Sequence, residues 1–219
     1  MTPTKIRITV KSAATFGRGD GVAGFVDREI EHDANGFPFL RGKTLKGLLS
    51  ESAENVVFAL EKQSNLHDWR AAKDELFGKP GRGNEERGSF HISDAILSAG
   101  LRSALQKELD AGTMTKEDIL YGLTGIRRQT AMNEYGAPEN ATLRSMRVLL
   151  PGVVLEAELN MGSPTEQQIS LLVAAALDLR RAGTGRNRGR GAVLVELDDA
   201  NTTQRYFEKF AKFVEEVEA

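Results

Sequence analysis

The hydrophobic period of this chain switches between two and 3.6 residues in a fixed order, and that order limits the fold more than any single motif. Lys5–Val10 puts Ile6, Ile8 and Val10 on one face and Lys5, Arg7 and Thr9 on the other, the pattern of a half-buried strand. Leu45, Leu48, Leu49, Val56 and Leu60 then recur at helical spacing to about Glu61, with Thr44 placed to cap the helix. Strand character returns over residues 89–97 and again over 153–159. Ser163-Pro164-Thr165-Glu166 combines a capping box with proline at the first helical position, which predicts a helix reaching Arg181. Residues 192–197 form a closing strand, and residues 203–217 a terminal helix with Phe207, Phe210 and Val214 on one side.

Strand, helix, strand, strand, helix, strand is a split β-α-β order. It predicts an α+β fold with a ferredoxin-like, RNA-recognition-motif-like core. Long insertions follow the first strand and separate the second from the third. In the first, residues 15–24 hold four glycines and no period, and residues 25–32 read as a short irregular strand leading to a turn at 33–36. After the first helix come a short helix over 68–76, closed by Phe77-Gly78, and a glycine- and charge-rich loop over 79–88. Short helices are expected over 101–109 and from Thr115 to about Leu123. Without a linker-like composition break, residues 1–219 read as one domain.

Residues 180–191 pack five arginines and four glycines into twelve positions with no acidic residue. Glycine lets a backbone approach a ligand closely, and the guanidinium fork pairs with phosphate oxygens through two parallel hydrogen bonds. The segment predicts an anion-binding loop, and nucleic acid is its natural ligand. The formal net charge of the whole chain is -2, so the binding charge must be local. A second arginine-bearing stretch, 125–147, holds Arg127, Arg128, Arg144 and Arg147 without a sustained apolar period and reads as a protruding flap.

The absence of cysteine excludes disulfides and thiolate zinc sites, and three dispersed histidines argue against a structural metal. With no signal-like or membrane-spanning apolar run, a soluble cytoplasmic protein without membrane contact is expected. Gly42-Lys43-Thr44 suggests a phosphate-binding loop, but the glycine required five residues earlier falls on Phe37. A dinucleotide fingerprint at Gly183-Thr184-Gly185 fails because its third glycine falls on Arg188. His32 and Asp33 read as structural, and His91 as a strand residue facing away from the core.

In their order, four segments resemble the RAMP superfamily, the CRISPR-associated proteins that build the guide-RNA-binding backbone of type III effector complexes. They are Gly24-Phe25-Val26-Asp27 with 36–47, similar to the aspartate loop and its turn into the first helix; Leu76-Phe77-Gly78 with 88–95; the flap before Pro151-Gly152, similar to the thumb hairpin; and the loop 183–191. Arg41 stands where the family often has proline, and the flap lacks the usual acidic residue before its closing strand.

The resemblance implies guide RNA along the sheet face and helix start, contacted by Lys43, Thr44 and Lys46. Further contacts would come from Arg127 and Arg128 of the flap and from Gly183, Gly185, Arg186, Arg188, Gly189 and Arg190 of the loop. It implies target RNA and other effector subunits, including copies or paralogues of this chain, as partners. Asp27 matches the aspartate that cleaves target RNA in catalytic subunits, with Mg²⁺ or Mn²⁺ as the implied cofactor held at Asp27. A non-cleaving capping subunit is the alternative. A guide-processing endonuclease would need a histidine or tyrosine beside the glycine loop, and the loop has neither.

Overall fold

The computed structural model describes residues 2–61, 68–79, 88–139 and 142–215. In chain order its elements are β1 (Lys5–Val10), α1 (Gly42–Glu61), α2 (Trp69–Phe77), the two-residue strands β2 (His91–Ile92) and β3 (Ile96–Leu97), α3 (Ala99–Asp110) and α4 (Lys116–Leu123). The ribbon β4 (Thr124–Gln129) and β5 (Arg144–Leu149) follows, then β6 (Val154–Asn160), α5 (Glu166–Asp178), β7 (Val193–Leu197) and α6 (Ala200–Glu215). The fold is mixed α and β with antiparallel sheets.

β1 lies inside the main sheet, antiparallel to β6 with Lys5 opposite Glu158, and antiparallel to β7 with Ile6 opposite Leu197. β2 and β3 both pair with the far side of β6, so the strands run β7, β1, β6, then β2 and β3 together. The period-two pattern decides which face is covered. Ile6, Ile8 and Val10, Leu155 and Ala157, and Val193, Val195 and Leu197 all point into one core with Leu45 and Leu49 of α1 and Leu172 and Val173 of α5. Lys5, Arg7, Glu156, Glu158 and Glu196 line the opposite face. Trp69 of α2 packs edge-on against Phe210 and Phe213 of α6 and extends the core past the helices.

Several boundaries differ from the sequence expectations, some of them through a distant partner. α1 begins at Gly42 rather than after Thr44, because the Gly42 amide donates to Asp94 Oδ1 at 2.7 Å. The same Asp94 interrupts the strand expected over 89–97, leaving β2 and β3 on either side of it. α5 is capped by Thr165, which exchanges hydrogen bonds with Gln168, so Pro164 precedes the cap; the helix ends at Asp178, short of Arg181. Residues 25–32 pair only through isolated bridges, while the turn at 33–36 forms with Asp33 Oδ1 accepting from the amides of Asn35 and Phe37. Most of the loop over 79–88 lies outside the described residues.

Candidate nucleic-acid interface

The arginine loop is built on glycines and pinned to the segment after β1. Its residues 186–188 form one 3₁₀ turn between Gly185 and Gly189, both in the left-handed region. The amides of Thr184 and Gly191 donate to the carbonyls of Thr15 and Ala13. At Gly191 φ is +65° and a Cβ would stand 2.0 Å from the Ala182 carbonyl oxygen, so only glycine fits. A freely solvated hairpin is thereby excluded.

β4 and β5 pair from Thr124 opposite Leu149 to Gln129 opposite Arg144, so the expected flap is a two-stranded ribbon. Strand pleating puts Arg127, Gln129, Arg144 and Met146 on one of its faces and Arg128 with Ser145 on the other. The first face meets the arginine loop. Arg190 donates to Gln129 Oε1 at 2.7 Å and contacts Met146 Sδ at 3.1 Å. Burial first, then the neighbouring charges of Arg127 and Arg188, hold the Arg190 pKa below its usual value.

Residues 26–28 lie along the outer edge of β5 as a short parallel extension, with Asp27 N–H donating to Ser145 O and Arg147 N–H to Arg28 O. Asp27 Oδ2 accepts from the Ser145 amide at 2.6 Å and its hydroxyl at 3.1 Å. These bonds, chiefly the amide, lower the Asp27 pKa below the ordinary carboxylate range. At neutral pH Asp27 is an ionised acceptor, with Oδ1 left for a ligand. Beneath it, Arg147 donates to Glu29 at 2.7 Å and to Thr124 Oγ1 at 3.1 Å; the Arg147 and Glu29 side chains are 4% and 1% exposed. This buried pair clasps the aspartate loop to the ribbon.

The three segments enclose one cleft of about 390 Å³. Its walls carry Arg28, Arg144, Arg186, Arg188 and Arg190, and among the described residues Asp27 is the one acidic residue lining it. Across Gly183 and Arg186 the cleft adjoins a smaller hollow, about 270 Å³, that reaches Thr44 and Arg41 at the start of α1. Asp27, Thr44, Gly183, Gly185, Arg186, Arg188 and Arg190 are therefore brought together, with Arg127 beside Arg190. Gly189 closes the turn at the exposed rim.

Lys43 is exposed but lines neither hollow, and Arg128 faces away. Lys46 turns inward: its Nζ donates to the Phe90 carbonyl at 2.6 Å, and burial lowers its pKa. The amide of Gly42 is likewise taken by Asp94. The open sheet face mixes Glu156, Glu158 and Glu196 with Lys5 and Arg7, and Arg7 is paired with Glu156 at 3.1 Å, so it lacks the net positive charge that an RNA backbone favours.

Four contributors went unmarked in the sequence reading. Ser145 and Gln129 were hidden in a polar stretch, although the alternation of Arg127 with Gln129 was a readable strand signal. Glu29 and Glu51 act across the chain. Glu51 of α1 holds Arg186 in a fork, with both carboxylate oxygens within 2.9 Å of Nη2. The loop has no acidic residue in sequence, yet it has one in space. Among the described residues no cluster of three His, Cys, Asp or Glu side chains is arranged to hold a metal ion, and no helix is long and apolar enough to cross a membrane.

One chain from a cryo-EM structure of type III-B Cmr-beta bound to cognate target RNA superposes with a TM-score of 0.63 at 14% identity, covering 94% of this chain and 99% of that one. A chain from the apo state of Cmr-beta gives a TM-score of 0.64 at 13% identity, covering 91% and 98%. At such identities the likeness is one of fold. No curated protein sequence matches. The family model of the RAMP superfamily matches residues 7–194, a span that contains the aspartate loop, the ribbon and the arginine loop alike, and the chain belongs to that superfamily.

Proposed function

We propose that this chain is a CRISPR-associated RAMP subunit of a type III effector backbone, that it binds guide RNA, and that it cuts the paired target RNA through Asp27. The strand order β7, β1, β6, β2 with β3, with α1 and α5 on one face, supports a ferredoxin-like core as its scaffold. One observation carries the functional reading: three segments far apart in sequence meet in a single cleft lined by five arginines and one ionised aspartate. Guanidinium forks suit phosphate oxygens, so an RNA backbone is the ligand that fits. The whole chain is slightly acidic, which makes affinity depend on these few contacts and on assembly along one RNA.

Asp27 would orient the 2′-hydroxyl of the target strand as an acceptor at Oδ1, while Ser145 keeps Oδ2 fixed. A divalent cation fits here only as a shared ligand. Asp27 offers it one carboxylate oxygen, and the remaining positions fall to RNA phosphates and water, as Mg²⁺ sites commonly allow. When bound, such an ion would neutralise charge building on the phosphate. A second reading, a structural subunit without cleavage, is supported by the prior engagement of Asp27 by Ser145 and by the lack of a metal-holding cluster among the described residues.

The experiment is the salt dependence of RNA binding. Replacing Arg186, Arg188 and Arg190 together with alanine should weaken binding and reduce the slope of log K against log salt by about two, the release expected from three contacts to a single strand. An unchanged slope would remove the loop from the interface. A smaller effect of opposite sign is expected at Glu51. Glu51→Gln frees Arg186 from a surface ion pair and should tighten RNA binding about two- to fivefold at low salt, as read by fluorescence anisotropy.

A further inference from the structure

Beside the cleft, the aspartate loop and α4 expose two aromatic rings that are held in place. Phe25 and Tyr121 are 44% and 55% exposed, with centroids 6.4 Å apart at 90°. A single exposed ring is ordinary on a protein surface, but this pair has a cation behind it. The Arg147 guanidinium carbon lies 5.3 Å from the Phe25 centroid and 5.4 Å from that of Tyr121, and Glu29 and Thr124 fix Arg147 in turn. Held from within by cation–π contacts, the rings have little freedom left to lose when a ligand covers their outer surfaces.

Their position ties them to Asp27. The Ser145 hydroxyl lies 3.4 Å from the Phe25 carbonyl oxygen and 3.1 Å from Asp27 Oδ2, so the two acceptors share its single proton. A shallow hollow of about 370 Å³ runs from Gly21 past Phe25 to Asp27 and Ser145, and Asp27 lines both this hollow and the arginine cleft. A strand with its phosphates among the arginines thus passes Asp27 before it reaches the rings. Phe25 is the ring that lines the hollow, among small and aliphatic neighbours, with Tyr121 beside it outside the lining, and among the described residues Asp27 is the one charged side chain there.

We infer that Phe25 and Tyr121 form a stacking platform for one nucleobase of the RNA in the cleft and so position that nucleotide's sugar beside Asp27. The inference rests on the RNA-binding function proposed above. Every base has a π face, so the platform is tolerant of sequence. Phe25 and Tyr121 are positioning residues, acting through the nucleotide they hold.

The test uses the full chain and single-stranded RNA carrying 2-aminopurine, whose fluorescence falls on stacking. Wild type should quench the probe. Phe25→Leu keeps an apolar cover over Arg147 but removes the π face; it should lose quenching and weaken binding about tenfold with thermal stability near that of wild type. Phe25→Tyr should restore both, and Tyr121→Leu and Tyr121→Phe should behave in the same way. Wild type that binds RNA with a steep salt slope but quenches no probe would overturn the platform and leave the RNA function standing. Phe25→Leu that matches wild type in quenching and affinity would do the same. Wild type that binds no RNA would overturn both.

Discussion

Arg147→Ala is expected to lower the free energy of unfolding by about 3–5 kcal/mol, the cost of leaving a buried carboxylate without its partner. Few substitutions here should do more damage. Glu29 is 1% exposed and accepts from the Arg147 Nε, while Arg147 Nη1 donates to Thr124 Oγ1, so truncation strands one buried charge and removes a hydrogen bond to Thr124. Urea denaturation would read the loss as a lower midpoint. A double variant, Glu29→Leu with Arg147→Met, should recover most of the stability, because two apolar side chains of similar volume need no counter-charge. If Arg147→Ala unfolds like wild type, the pair is not the clasp between aspartate loop and ribbon.

The other large effect belongs to Asp27. Asp27→Ala should reduce target cleavage by about 10²–10⁴, the range for loss of a positioned acid–base group, while guide binding and target capture persist. An exposed side chain tied only to Ser145 supports no core packing, so folding should be spared. The assay compares wild type and variant in a reconstituted complex with Mg²⁺ or Mn²⁺ and with chelator. Equal cleavage by the variant would move the chemistry elsewhere, and an inactive wild type would favour the structural subunit.

Local pattern made much of this molecule legible. β1, α1, β6 and β7 each announce themselves by period because each buries one face, and Thr115 caps a helix with a partner only three residues away. The arginine loop was legible for the same reason, since its chemistry lies within twelve consecutive residues. What could not be read was pairing at long range. Arg147 finds Glu29 across 118 positions and Arg186 finds Glu51 across 135, and no periodicity encodes either. Lys46 reads as an RNA contact in the sequence because its spacing does not reveal that the Phe90 carbonyl waits 44 residues away. The start of α1 shifted for a like reason: its cap is borrowed from Asp94.

That borrowed cap has a bearing on how copies of the chain keep apart. A sheet edge ordinarily offers a continuous row of free amides and carbonyls, a template on which a foreign strand can grow. Here the edge is only two residues long at β2 and two at β3, and between them Ser93 accepts from the Glu158 amide while Asp94 turns away to α1. An incoming strand would find short footholds with a bend between them. Copies of the chain brought close together are thus guarded on this side against fusing into a common sheet.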